Sequence, residues 1–145
     1  MDTLQIERDV ELQATPERVF AALTTEIGAW WDHTFAAEPR GLYLEPYAGG
    51  RFYEEFGEDG SALYAIVTYA EPGKLLVLSG SMGMRGPVLA TVRYELEPRE
   101  GGTLLKLAHG VVGEVDDETR EMYTTGWEAL LDGQLLKEYV EQGAD

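Results

Sequence analysis

The stretch Asp116–Gln142, DDETREMYTTGWEALLDGQLLKEYVEQ, decides how the rest of the chain is read. Asp116 and Asp117 offer N-cap oxygens, and with Glu118 they place negative charge where a helix dipole favours it. Met122, Tyr123, Gly126, Trp127, Leu130, Leu131 and Leu135 then recur at three- and four-residue steps, the spacing of one helical face. Gly143 follows as a C-terminal stop. One helix of about 26 residues would run roughly 39 Å at 1.5 Å per residue, long enough to cross a whole sheet. Gln134 and Glu138 interrupt the apolar stripe. Leu136 and Val140 fall beside it and are expected to form a seam if the chain pairs with itself.

Working backwards, the segments before this helix read as strands built to lie against it. Thr103–Val111 places Leu105, Leu107, His109 and Val111 on one face. Val88–Glu97 does the same with Val88, Ala90, Val92, Tyr94 and Leu96, and Leu75–Ser81 with Leu76, Leu78 and Gly80, continued by Met82. Further strands are expected at Gly41–Glu45, Arg51–Phe56 and Ala62–Ala70. They are punctuated by turn chemistry at Gly49-Gly50, Glu58-Asp59-Gly60, Glu71-Pro72-Gly73 and Arg99-Glu100-Gly101-Gly102. Short turns of this sort argue for antiparallel hairpins. At the start, Leu4–Leu12 alternates strictly, with Arg8 the one polar residue on the apolar face. Thr15-Pro16 opens a short helix carrying Val19, Phe20 and Leu23, and Ile27–Trp31 reads as a second short helix or turn. The class is α+β, with helices on one face of an antiparallel sheet.

The totals set bounds. At 145 residues and 44% hydrophobic content the chain is expected to form one domain over 1–145. A net charge of −16 disfavours nucleic acid and anionic membrane as partners, and the acidic residues read as a solvated exterior. No stretch approaches a membrane span. Met1-Asp2-Thr3 opens no export signal, and the absence of cysteine points to no oxidising compartment. A cytoplasmic location is expected.

Taken in order, Ala14-Thr15-Pro16-Glu17-Arg18-Val19-Phe20, Trp30-Trp31, Gly49-Gly50-Arg51-Phe52, Glu71-Pro72-Gly73-Lys74-Leu75, Gly102-Thr103-Leu104-Leu105-Lys106-Leu107-Ala108-His109 and Gly126-Trp127 resemble the START-like, or helix-grip, superfamily. Within it they are most similar to the single-domain homologues of the activator of heat-shock-protein-90 ATPase. The resemblance implies a curved antiparallel sheet of six or seven strands around the long C-terminal helix, with two short helices after the first strand. It also implies a cavity between helix and sheet for a small hydrophobic or amphipathic molecule. On that reading the cavity wall is Trp30, Trp31, Phe52, Glu54, Leu78, Met82, Val92, Leu107, His109, Tyr123, Trp127 and Leu131. The small residues Gly80 and Ala90 either leave this space open or simply let elements pack more closely.

Two polar residues stand out among these. His109, mid-strand on an apolar face, is either a base able to titrate near neutral pH or a hydrogen-bonded wall residue. Glu54 alternates with Phe52 and Phe56, so it either points inward, where a buried carboxylate needs a partner and Arg8 is the obvious one, or meets water on a twisted edge strand. His33 and His109 are far apart and, without cysteine, make no metal site. No nucleophile elbow, P-loop or dinucleotide fingerprint occurs. Neither catalytic residue nor cofactor is therefore assigned. Ligand binding is the leading expectation. The alternatives are a protein-interaction module resembling a chaperone cofactor and a cyclase-like or hydrolytic enzyme using His109 or Glu54.

Overall fold

A computed structural model describes residues 2–84, 86–132 and 135–142. Seven antiparallel strands form one sheet: β1 (Asp2–Leu12), β2 (Gly41–Leu44), β3 (Arg51–Gly57), β4 (Gly60–Glu71), β5 (Leu75–Gly80), β6 (Val88–Arg99) and β7 (Gly102–Gly113). Their order across the sheet is β1-β7-β6-β5-β4-β3-β2. Everything from β2 to β7 is a meander, and β1 closes it by pairing with β7. Helix α1 (Pro16–Leu23) starts with Pro16 in its first turn, and the Thr15 hydroxyl accepts from the Arg18 amide at 3.1 Å. The second expected short helix is a single 3-10 turn, Ile27–Ala29.

The alternation read from the strands is the alternation observed. Leu105, Leu107, His109 and Val111 are buried against the helices, as are Ala90, Val92, Tyr94 and Leu96. Gly80 is a packing glycine, since a Cβ there would stand 2.5 Å from the Tyr64 carbonyl oxygen. Its smallness therefore lets β4 and β5 approach and opens no space.

The C-terminal helix is long but not uniform. Helix α2 (Asp117–Trp127) begins at Asp116, whose carboxylate accepts from the Thr119 amide at 2.8 Å. A π-helical turn, Glu128–Asp132, follows, and α3 (Leu135–Gln142) ends the element. The interruption corrects the single-stripe reading. Trp127, Leu130 and Leu131 are buried as expected, but among the described residues the next fully buried positions are Leu136 and Val140, while Leu135 is half-buried and Glu138 exposed. The i→i+5 bonding of the π turn widens the helix there and rotates the buried face, which resumes at Leu136 and Val140. Leu136 and Val140 are thus core residues and form no seam for a second copy. Gln134 and Gly143 lie outside the described residues.

Arg8 is the other correction. It sits on β1 and Glu54 on β3, and four strands separate them, a gap of about 24 Å at the usual strand spacing. Arg8 instead forms an ion pair with Glu128 in the π turn. Among the described residues no helix is long and apolar enough to cross a membrane.

Candidate functional site

Three segments of the chain converge beside α2. The first is the loop Trp31–Phe35 after the 3-10 turn. The second is Tyr64 on β4. The third is the turn Ser81–Met84 that leaves β5. Between them and the face that runs from Met122 on α2 to Leu130 in the π turn lies a hollow of about 330 Å³, at the small end of the range for ligand pockets. Phe35 and Met122 form its solvent rim, at 48% and 58% exposure.

Tyr64 reaches this place through a β-bulge. Phe52 pairs with Ala65 and Tyr53 with Leu63, leaving Tyr64 as the extra residue. Tyr64 and Ala65 are consequently both buried, against the alternation on either side. The redirected phenol stacks on Phe52 and on Phe35, with ring centroids 4.8 and 5.6 Å away. Its hydroxyl donates to Glu54 at 2.5 Å. The Glu54 carboxylate, fully buried, also accepts from the amides of Phe35 at 2.9 Å and Ala36 at 2.8 Å. Three donors thus replace the water lost on burial, and the inward glutamate fastens the Phe35 loop to the sheet. Burial and the adjoining carboxylate push the Tyr64 phenol well above its ordinary range.

The turn after β5 is held from two sides. Met82 and Gly83 both have positive φ, 52° and 86°, and the Met84 amide donates to the Ser81 carbonyl at 3.1 Å. This is the pattern of a type I′ turn, unusual with methionine at its first central position. The Tyr123 hydroxyl donates to the Met82 carbonyl at 2.8 Å, tying α2 to the turn. Behind the hollow stands an aromatic wall: Trp127 meets Trp31 edge to face at 5.7 Å, and Trp31 meets Phe52 at 5.4 Å.

His109 lies deeper, fully buried. The Trp127 indole donates to its Nδ1 at 2.8 Å. An indole N–H can only donate, so the proton of the neutral imidazole is on Nε2. That atom is buried and has no hydrogen-bond partner among the described residues. Burial holds the imidazole pKa down at about 4.

Of the twelve residues expected around a cavity, the structure brings Trp31, Met82, Tyr123 and Trp127 to the hollow. Phe52, Glu54, Leu78, Val92, Leu107, His109 and Leu131 lie in the packed core behind it. Trp30 is turned away, its indole donating to the Ala22 carbonyl at 2.7 Å. The unforeseen lining residues are His33, Thr34, Phe35, Tyr64, Gly83, Met122, Gly126 and Leu130. Met122, Gly126 and Leu130 were already legible on the helical stripe. Tyr64 was hidden by its bulge, and the loop residues carry no periodic signal. Among the described residues no group of three or more His, Asp or Glu is placed to hold a metal ion.

The family model described as Activator of Hsp90 ATPase homolog 1-like protein matches residues 13–141. The chain belongs to that family. Solved structures agree on the fold over the whole length. An uncharacterised protein from Rhizobium leguminosarum superposes with a TM-score of 0.75 at 20% identity, covering 97% of this chain and 96% of the other. The Aha1 dimer from Colwellia psychrerythraea gives 0.68 at 23% identity, covering 98% and 99%. Ara h 8.0201 gives 0.68 at 12% identity, covering 98% and 100%. None of the curated protein sequences matches. At these identities the structural neighbours establish the helix-grip fold alone.

One feature of this family member is testable without a ligand. Gly126 lies inside α2, and a Cβ there would meet His33 Cδ2 at 3.5 Å, an ordinary contact. Gly126→Ala is expected to stabilise the protein by about 0.5–1 kcal/mol, because alanine loses less backbone freedom on folding. Urea denaturation should show the gain, and a loss would mean that the α2–loop contact is tighter than described.

Proposed function

We propose that this protein binds a small, predominantly apolar or aromatic molecule in the hollow between α2, the Trp31–Phe35 loop and the turn after β5. The single observation that carries the reading is a space of about 330 Å³ walled by Trp31, Phe35, Tyr64, Tyr123 and Trp127. A hollow of that volume admits a ligand of one or two rings, whose burial against aromatic walls supplies the affinity. The walls are preorganised: Glu54 anchors the loop and Tyr123 anchors the turn, so little ordering cost attends binding.

The enzyme reading has less support. His109 and Glu54, the two groups that motivated it, do not line the hollow, and both are fully buried. With no side chain of either presented to a bound molecule, neither is placed for proton transfer to it.

The test is a thermal-shift and native mass-spectrometry screen with mono- and bicyclic aromatics and short-chain amphiphiles. At least one class is expected to bind with 1:1 stoichiometry and to raise the melting temperature as its concentration rises. Silence across the whole set would remove the ligand reading.

A further inference from the structure

The side chains around the hollow share a property that sets the chemistry of its occupant. Six of them carry an N–H or O–H, and each already donates that hydrogen within the protein. Trp31 donates to the His33 carbonyl at 3.1 Å and Thr34 to the Ala36 carbonyl at 2.7 Å. Tyr64 donates to Glu54, Tyr123 to the Met82 carbonyl and Trp127 to His109. The His33 Nδ1 stands 2.6 Å from the Asp32 carboxylate, so its hydrogen lies there and, in the neutral ring, Nε2 is a lone pair. The remaining lining residues have no side-chain donor, and among the described residues no lysine or arginine lines the hollow. The backbone amides of Trp31, Phe35, Met82 and Gly83 are likewise engaged, whereas those of His33 and Thr34 donate to no group among the described residues.

What the side chains present to the space is therefore one-sided. Lone pairs on the Tyr64 and Tyr123 oxygens, the Thr34 hydroxyl oxygen and His33 Nε2 remain available, beside aromatic π-electrons and the thioethers of Met82 and Met122. The buried Glu54 carboxylate lies directly behind Tyr64, in a chain of net charge −16. A carboxylate entering this space would lose its hydration and find no side-chain donor in return. An ammonium group would meet acceptors and π-electrons.

Resting on the reading that the hollow takes a ligand, we propose that it selects an apolar cation, an aromatic or aliphatic ammonium compound, over the corresponding neutral alcohol and over the carboxylic acid. Selection is by the absence of free side-chain donors as much as by attraction.

The experiment is calorimetric titration at pH 8 and 150 mM NaCl with four naphthalene probes of matched shape: the 1-naphthylmethyl ammonium, its trimethylammonium analogue, 1-naphthylmethanol and 1-naphthoate. Both cations are expected to bind about tenfold more tightly than the alcohol, and the alcohol more tightly than the acid. Amide NMR shifts should fall on Gly83 and Gly126, and Gly126→Leu, which projects a side chain into the space, should abolish binding of all probes. If the acid binds as well as the cations, or the alcohol equals them, the selectivity is wrong while the pocket stands. If no probe binds, the pocket reading and this inference fall together. If the cations bind with shifts elsewhere, or Gly126→Leu folds and leaves their affinity unchanged, they are recognised by the acidic surface and the proposal is overturned.

Discussion

Glu54→Ala is expected to lower the unfolding free energy by about 3–5 kcal/mol, the scale for removing one member of a buried charged hydrogen-bond cluster. The carboxylate is fully buried and meets three donors, the Phe35 and Ala36 amides and the Tyr64 hydroxyl. Alanine would leave all three facing a cavity. The loss should be local as well as global, because the two amides belong to the loop that forms one side of the hollow. Tyr64→Phe removes one donor and leaves the other two, and its expected cost is about 1–2 kcal/mol. Urea denaturation of both variants decides the matter, and amide exchange at Phe35 and Ala36 should accelerate most in Glu54→Ala. A cost below about 1 kcal/mol for Glu54→Ala would mean that this cluster does not hold the loop.

His109 is expected to dominate the first part of acid destabilisation. Its pKa is about 4 in the folded protein against an ordinary 6.5. Between those values the unfolded chain binds a proton that the folded chain does not. Stability from this group is therefore complete above about pH 6.5 and is lost as the pH falls toward 4, by about 3 kcal/mol in total. The cause is desolvation. Its cross-strand partners Ile6 and Val92 and the rings of Tyr123 and Trp127 bring no negative charge to offset it.

The carboxylates held below their usual range by hydrogen bonds, Glu26 with Tyr139 and Arg18 and Glu141 with Lys137, act lower. Their contribution is present above the ordinary carboxylate range and disappears as the pH falls through the depressed values. His109→Gln separates the two effects, since an amide oxygen can still accept from the Trp127 indole but does not titrate. Measured by urea denaturation at pH 7, 5.5 and 4.5, wild type should lose markedly more stability than the variant. Parallel pH profiles would show that the imidazole charges freely in the folded state.

The unpartnered Nε2–H of His109 has a related consequence. In the neutral ring the indole bond fixes the tautomer, which leaves a donor in an apolar core at some cost to stability. In this arrangement the accepting nitrogen is occupied by the indole and the donating nitrogen is closed off in the core.

Much of this molecule was readable from local periodicity alone. Strand alternation from Leu105 to Val111 and from Ala90 to Leu96, glycine-rich turns and the Asp116 cap each depend on neighbours a few residues away. Their physics survives in a linear text. For the same reason an inward Glu54 was one of two readings the alternation allowed, but its partners were not legible, since they come from a loop and a strand that only the folded sheet brings near. Arg8 shows the opposite failure: two inward charges of opposite sign invite pairing, and sheet order places them on strands too far apart to meet.

The sequence by itself determined an α+β meander closed by a helix, because a period of two and a period near four each bury one face and no other. Tertiary structure alone decided where the open space lies. The bulge at Tyr64 and the π turn after Trp127 each insert a residue that breaks its local period, turning side chains toward partners distant in the chain. Such slips are stabilised only by what they meet on the far side, and that partner exists only once the sheet and helix have come together.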